Sequence, residues 1–454
     1  MFTQIELRNF KAWRTLGPLP VRPLTVLFGA NSSGKSSLLQ MLLLLKQTVE
    51  STDRNLALHL GDRNSYVELG SLLDVLHGHD QTGVLSWQLR WRLARPLVIR
   101  DVGGRGATMS LQELGFRAEV DVSPRGDPGL RSLRYELGES ATCGLDRRSG
   151  NGPVHEVTCE IPGFELRRRR GRPAIGSAAH KCYGFSDQMR SEYQNADFLA
   201  DLAREFERQF ERVYYLGPLR EHPHREYPWG GAEPSDMGSR GEKVVAALLA
   251  AKRKGRFLSR GKGKRRLTLE LRVADWLRDL GLASGFRTEE VAPGANLYRV
   301  WVRQGTGAPE VLLPDVGFGV SQVLPVLALC YSVPEGSTIL FEHPEIHLHP
   351  AVQAGLADVL LDAVNTRHVQ VIVESHSEHL LRRIQRRIAE GDLDNRSVAL
   401  HFCAATGGQA VAQELQVNLL GEIANWPEGF FGDDVEEAIA TEEARLRRAG
   451  RGAA

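Results

Sequence analysis

The stretch "PLTVLFGANSSGKSS", Pro23–Ser37, decides the class of fold. Residues 23–28 read as a short apolar strand. Gly29, four residues of loop, Gly34, Lys35 and Ser36 then fit the spacing G-x-x-x-x-G-K-[ST]. From about 35 to 49 the apolar content is that of a buried helix. Strand, loop and helix in this order make a phosphate cradle. The glycines let backbone N–H groups curl around an anion, and the positive end of the helix points at the same place. Lys35 is set to reach the β- and γ-phosphates, and the Ser36 hydroxyl to ligand Mg²⁺. Gly29, Asn31, Ser32, Ser33, Gly34, Lys35, Ser36 and Ser37 are therefore the expected nucleotide contacts.

A cradle of this kind needs a carboxylate at the end of another buried strand, to hold Mg²⁺ directly or through water. "STILFEHPEIHLHP", Ser337–Pro350, supplies one: "TILF" is the strand and Glu342 stands at its end. Just upstream, Gly317, Gly319, Ser321 and Gln322 open an apolar helix within "DVGFGVSQVLPVLALCYS". Small residues at a helix N-terminus make an anion site that needs no lysine of its own. A plain core-helix start is the alternative reading. Downstream, "HVQVIVESHSEHLL" reads as a third strand, roughly 368–373, ending at Glu374, Ser375 and His376.

This order of motifs resembles the ABC-type ATPases. It is closer to their SMC/RecF-like and overcoming-lysogenization-defect branch, through "NFKAW" at 9–13, "E-x-PE-x-HLHP" from Glu342 and "ES-HS-EHLL" from Glu374. "LGPLREHPHREYPWGG" (216–231) and "NWPEGFFGDDVEEA" (425–438) are similar to bacterial AAA-annotated ATPases with a short C-terminal domain of unknown function. The resemblance implies an α/β, ABC-type P-loop ATPase fold with an inserted β-rich and helical subdomain, and ATP and Mg²⁺ as ligands. It makes Ser36 and Glu342 the metal residues. It makes Gly317, Gly319, Ser321 and Gln322 a signature that meets the γ-phosphate bound by the opposite subunit, so ATP implies a homodimer. His376 becomes the switch histidine, with a strand-end histidine bonded to a neighbour as the alternative. By resemblance alone, Arg220 and Arg225 approach the nucleotide. The family's usual water-activating glutamate directly follows the metal carboxylate, but here that position is His343. Glu345 is the better candidate base, and a neutral His343 positioning the water is the competing reading.

Outward from the motifs the chain is ordinary in bulk. It has 454 residues, 42% apolar and 25% charged, with net charge +1. Several subdomains are expected at this length, and the molecule as a whole is no basic nucleic-acid binder. Five scattered cysteines without CxxC spacing suggest reduced thiols, and "SSLLQMLLLLKQ" is too short and polar to span a bilayer. With no signal-peptide pattern at the N-terminus, a cytoplasmic protein without membrane contact is expected. Turn-bounded alternating segments over 83–170 predict an antiparallel β-rich arm, followed by an amphipathic helix over 191–212 and a strand at "RVYYLG". The domain division expected is 1–82 for the first ATPase part, 83–300 for the insertion, 301–404 for the second ATPase part and 405–454 for a C-terminal extension. Strands at "SVALHFCA" and "QAVAQELQVN" and a charged helix near 433–449 complete the expectation. Basic runs at 167–173 and 252–266 are candidate DNA or RNA contacts. The resulting functional expectation is an ATP-binding, slowly hydrolysing ATPase that dimerises on ATP and regulates a separate effector protein, in anti-phage defence. A RecF-like DNA-repair clamp and a catalytically weak nucleotide-sensing scaffold are the alternatives.

Overall fold

The computed structural model describes residues 1–100, 108–123, 126–148, 154–169, 178–259, 263, 265–427 and 430. A hairpin, β1 (Phe2–Phe10) and β2 (Trp13–Pro20), precedes β3 (Leu24–Gly29), the P-loop and α1 (Lys35–Glu50). Past a short α2 (Leu72–Val75) run β4 (Leu85–Arg100), β5 (Thr108–Val122), β6 (Pro128–Glu136), β7 (Thr142–Arg147) and β8 (His155–Glu160). Helices α3 (Asp187–Ser191) and α4 (Phe198–Glu211) lead to β9 (Val213–Leu216). A mixed region follows, with β10 (Tyr227–Pro228), α5 (Val244–Arg253), β11 (Phe257–Leu258), β12 (Leu267–Thr268), α6 (Leu269–Asp279), β13 (Gly285–Glu290), β14 (Leu297–Arg303) and β15 (Glu310–Leu312). The last part holds α7 (Phe318–Ser332), β16 (Thr338–Glu342), α8 (Pro350–Arg367), β17 (Gln370–Glu374), α9 (Glu378–Ala389), β18 (Val398–Thr406) and β19 (Gln409–Glu414).

Two sheets organise these elements. The first is antiparallel, in the order β2-β1-β4-β5-β6-β7-β8. Its strands alternate as a half-buried sheet must. Leu85, Trp87, Leu89 and Trp91 of β4 point inward, whereas Gln88 and Arg90 are only partly buried. The amphipathic α4 covers that face, and its Phe206 ring lies 4.6 Å from Phe116 and 6.0 Å from Trp91. The β-rich arm is therefore present, but it is not a separate lobe. Ile5 pairs with Leu89 and Leu7 with Trp87, so the sheet continues straight across the expected 82/83 boundary. Leucines of α1 share one core with the arm.

The second sheet runs β19-β18-β3-β17-β16-β9 and is parallel except for the β18–β19 pair. β3, β16 and β17 are buried along their whole length. That is why they read as unbroken apolar runs rather than alternating ones. Leu27, Leu340 and Ile372 face the core of α1, while Val26, Phe341 and Val373 face the core of α7, α8 and α9. The position of β17 between β3 and β16 matters most for the site, because it brings the carboxyl ends of all three strands to one edge.

One sequence expectation is corrected. Cys143 and Cys159 are direct partners on β7 and β8 and form a disulfide. Their separation of 16 residues conceals a cross-strand register that only the pairing reveals. Cys182, Cys330 and Cys403 are free and buried. Strands β18 and β19 lie where expected, whereas the helix expected over 433–449 falls outside the described residues. No helix among the described residues is long and apolar enough to cross a membrane.

Candidate nucleotide site

The P-loop leaves β3 through Gly29, whose φ of 139° only glycine adopts without strain. A Cβ there would stand 2.0 Å from the Cys403 carbonyl oxygen. Gly34, at φ 92°, packs against Trp13, whose indole Nε1 donates to the Gly34 carbonyl at 3.0 Å. The "NFKAW" hairpin thus braces the loop from outside. Ser33, Gly34 and Lys35 are buried, Asn31 and Ser32 exposed, Ser36 and Ser37 half-buried. Lys35 donates from Nζ to the carbonyls of Gly29 at 3.0 Å and Ala30 at 2.7 Å. Burial lowers its pKa, while Glu374, 3.9 Å away, opposes that shift.

Ser36 Oγ donates to Glu374 Oε1 at 2.9 Å. The carboxylate nearest the cradle is therefore the one ending the inserted strand β17, while Glu342 ends the next strand, β16. Glu342 accepts a hydrogen bond from the Tyr215 hydroxyl. Burial, reinforced by the neighbouring Glu374 charge, pushes its pKa up to about 7. Burial also raises Glu374. Burial thus holds both carboxylates toward the protonated form.

The segment after β16 is a tight turn with His343 at φ 45° and His347 at φ 62°. It folds Glu345 back over the strand ends, where Oε1 accepts the His376 backbone N–H at 2.9 Å. Glu345 Oε2 is buried and has no partner among the described residues. Burial would raise this acid, but hydrogen bonds from His343, the His376 N–H, its own N–H and Ser375 outweigh it and hold its pKa below the usual carboxylate range. The His343 ring lies 3.8 Å from Glu345 and 3.5 Å from Glu374, and Glu345 is the main cause of its raised pKa. It stacks on His376, centroids 4.9 Å apart. His376 is lowered, first by burial and then by Lys35.

The structure thus brings together Gly29, Ser33, Lys35, Ser36, Glu342, His343, Glu345 and His376. It does not bring in Gly317, Gly319, Ser321 or Gln322. Ser321 Oγ donates to the Phe318 carbonyl at 2.9 Å, Gly317 is exposed, and no described hydrogen bond links this helix start to the P-loop. Sequence reasoning gave Glu374 no role and missed Tyr215. The first was visible as the strand-end acid of "VIVESHS", but Tyr215 had no signal. Arg225 pairs with Asp315 at 2.7 Å on the surface, whereas Arg220 is buried beside the site. In the basic runs, Arg168 pairs with Glu156, Lys252 with Glu270, and Lys254 and Arg256 with Glu233. Residues 170–173, 260–262 and 264 of those runs lie outside the described residues. No group of three or more His, Cys, Asp or Glu suited to a metal occurs among the described residues.

Residues 186–382 match the family described as "AAA domain, putative AbiEii toxin, Type IV TA system". This match covers under half of the chain. Residues 393–438 match a second family, "Protein of unknown function (DUF3696)". The P-loop stands ahead of the matched AAA span, and β16, β17 and both site histidines fall within it. No curated protein matches the chain. Among solved structures, an SMC head bound to the C-winged helix domain of ScpA is 10% identical with TM-score 0.45, covering 92% of this chain and 98% of that one. The SMC head domain from Thermotoga maritima is 11% identical with TM-score 0.40, covering 92% and 99%. The Smc head domain with an extended coiled coil bound to the C-terminal domain of ScpA, derived from Pyrococcus furiosus, is 12% identical with TM-score 0.44, covering 98% and 99%. The parallel sheet bears the cradle at the end of β3, and the antiparallel sheet flanks it.

The raised Glu342 pKa has a stability consequence. A folded-state value near 7 against 4.5 for a free carboxyl means the folded chain holds an extra proton between those values. The contribution is fully present below about 4.5 and lost as pH rises through 7. In nucleotide-free, metal-chelated protein at pH 8, Glu342→Gln should therefore stabilise the fold by roughly 2–3 kcal/mol. Gln keeps an oxygen for the Tyr215 hydroxyl. Melting curves at pH 5 and pH 8 check this, since the gap between variant and wild type should be several-fold larger at pH 8. An equal gap at both pH values would refute the burial argument.

Proposed function

We propose that this protein binds ATP with Mg²⁺, hydrolyses it slowly, and uses ATP to join two copies that regulate a separate effector protein in anti-phage defence. The observation that carries the reading is the meeting of Lys35, Ser36, Glu342, Glu345 and Glu374 at the carboxyl ends of parallel strands, where ligands of open α/β sheets bind. Ser36 and Glu342 would hold Mg²⁺, with Glu374 beside them, and the ion would offset phosphate charge. Lys35 orients the phosphates. Glu345 polarises the attacking water through its unpartnered oxygen, with His343 and His376 closing the site around the terminal phosphate. The depressed proton affinity of Glu345 makes it a weak base, which supports slow turnover and keeps a nucleotide-sensing scaffold as the second reading.

Dimerisation is supported by the exposed start of α7. Phe318 is 62% exposed and Gly317 is exposed, whereas Ser321 and Gln322, one turn on, are buried at the foot of this surface. A second copy placing that helix end on the γ-phosphate gives ATP contacts that ADP lacks. The defence setting is supported by the family description, which names a putative AbiEii toxin and a Type IV TA system. Nucleic-acid contact is not part of this reading, because several described cations of the basic runs already pair with acids. Phosphate release from ATP, with and without chelator, tests the activity. For the dimer, light scattering should show a doubled mass with a non-hydrolysable ATP analogue but not with ADP. Ser321→Arg should stay monomeric while still binding the analogue. A single mass in every condition would sink the dimer.

A further inference from the structure

The loop after β9 carries a feature the nucleotide site does not explain. Arg220 is 7% exposed, yet Nε and both terminal nitrogens have no hydrogen-bond partner among the described residues. A guanidinium has five donors in a rigid fork, and leaving all of them unpaired in a buried place is costly. Burial pushes its pKa down to about 10, against the pull of Tyr215, Glu345 and Glu342. Two backbone hydrogen bonds hold the loop. Gly217 N–H donates to the Ser239 carbonyl at 2.7 Å and Glu221 N–H to the Arg240 carbonyl at 2.9 Å. Leu216 pairs with Phe341 in register, so the loop rises beside the carboxyl end of β16.

Charge bookkeeping indicates what the fork is for. Glu342, Glu345 and Glu374 stand against Lys35, Arg220 and the His343 ring, whose pKa Glu345 and Glu374 raise, and Lys35 is already bonded to two P-loop carbonyls. A triphosphate tail adds several more negative charges. Arg220 is a buried cation attracted to Glu345 and Glu342, with no hydrogen-bond partner among the described residues. We propose that Arg220 is a ligand of the terminal phosphate of a nucleoside triphosphate, supplied in cis by the β9 loop. The guanidinium fork matches phosphate oxygens bidentately. The same loop reaches the start of α7, through the His222 ring 6.3 Å from Phe318 and the Arg225–Asp315 pair. A γ-phosphate that draws on Arg220 therefore pulls on the loop touching the proposed dimer surface.

This inference rests on the ATP-binding reading, and the experiment separates the two. Calorimetry on the full chain compares ADP with a non-hydrolysable ATP analogue in Mg²⁺, for wild type and Arg220→Gln. If the wild type binds neither nucleotide, the ATP reading itself fails. If it binds ADP and the analogue equally, only the Arg220 proposal fails. The expected result is that the wild type prefers the analogue, and that Arg220→Gln loses about 10- to 100-fold of analogue affinity with ADP affinity unchanged. A variant that weakens both nucleotides equally, or neither, would overturn the proposal. Should Arg220→Gln fail to fold, Arg220→Met, which keeps the apolar stem, takes its place. Collapse of the melt in both variants would make Arg220 a structural counter-charge and overturn it too.

Discussion

Lys35→Ala should reduce ATP affinity by about 10²- to 10³-fold, the loss of two charge-assisted contacts to phosphate. Lys35 is the one cation within the loop sequence from Gly29 to Ser37. Its ammonium already lies inside the cradle, bonded to the carbonyls of Gly29 and Ala30, so little rearrangement brings it to the anion. The substitution has a second effect. It releases those two carbonyls and leaves Glu374 without the cation 3.9 Å away. Lys35→Met separates the effects, because it keeps the buried stem while removing the charge. Both variants should lose ATP and ADP binding together, since the lysine serves phosphates common to both. In this they differ from Arg220→Gln. Calorimetry showing wild-type affinity in both would remove the P-loop from the site.

The parts of this fold legible in the sequence were contiguous. β3, the P-loop and α1 occupy Leu24–Glu50 without interruption, so strand length, glycine spacing and helix pattern could be read together. The same holds for β16, for β17 and for the alternation of the arm strands. Adjacency was not legible. Nothing in "VIVESHS" states that its strand lies between the P-loop strand and Glu342, yet that placement sets Glu374 against Ser36 across 338 residues. The arm read as an insertion because its strands follow one another in sequence. Its pairing to β1 depends on a hydrophobic register shared with the first nine strand residues, which sequence order hides.

The site was half legible for a related reason. Glu345 was recognisable as the remaining carboxylate of the stretch that follows Glu342, but its reach depends on a backbone that residue types do not announce. His343 and His347 adopt positive φ, a region non-glycine residues visit rarely, and this returns Glu345 over the strand ends. Arg220 stood in a segment full of charges and prolines, where burial of one arginine among exposed neighbours has no periodic signal.

Glu345→Gln should lower turnover by about 10²- to 10⁴-fold while leaving ATP affinity within a factor of two or so. Gln keeps an oxygen to accept the His376 N–H, which Glu345 accepts at 2.9 Å, so the turn after β16 holds its shape. What it loses is the charge on the second oxygen, which is buried and unpartnered among the described residues. Glu374 Oε2 is likewise buried and unpartnered among the described residues, so what separates Glu345 is its charge. Burial raises the pKa of Glu342 and Glu374, whereas hydrogen bonds hold Glu345 below the usual range. Glu374 is occupied with Ser36, and Glu342 with Tyr215. His343 is the competing candidate. Its ring is stacked on His376 and attracted by two carboxylates, which raise its pKa and favour the protonated form, a poor proton acceptor. His343→Ala should therefore slow turnover less than Glu345→Gln, chiefly by loosening Glu345. Single-turnover phosphate release under saturating ATP distinguishes the two. If His343→Ala abolishes release and Glu345→Gln does not, the water belongs to the imidazole, and Glu345 serves only to orient it.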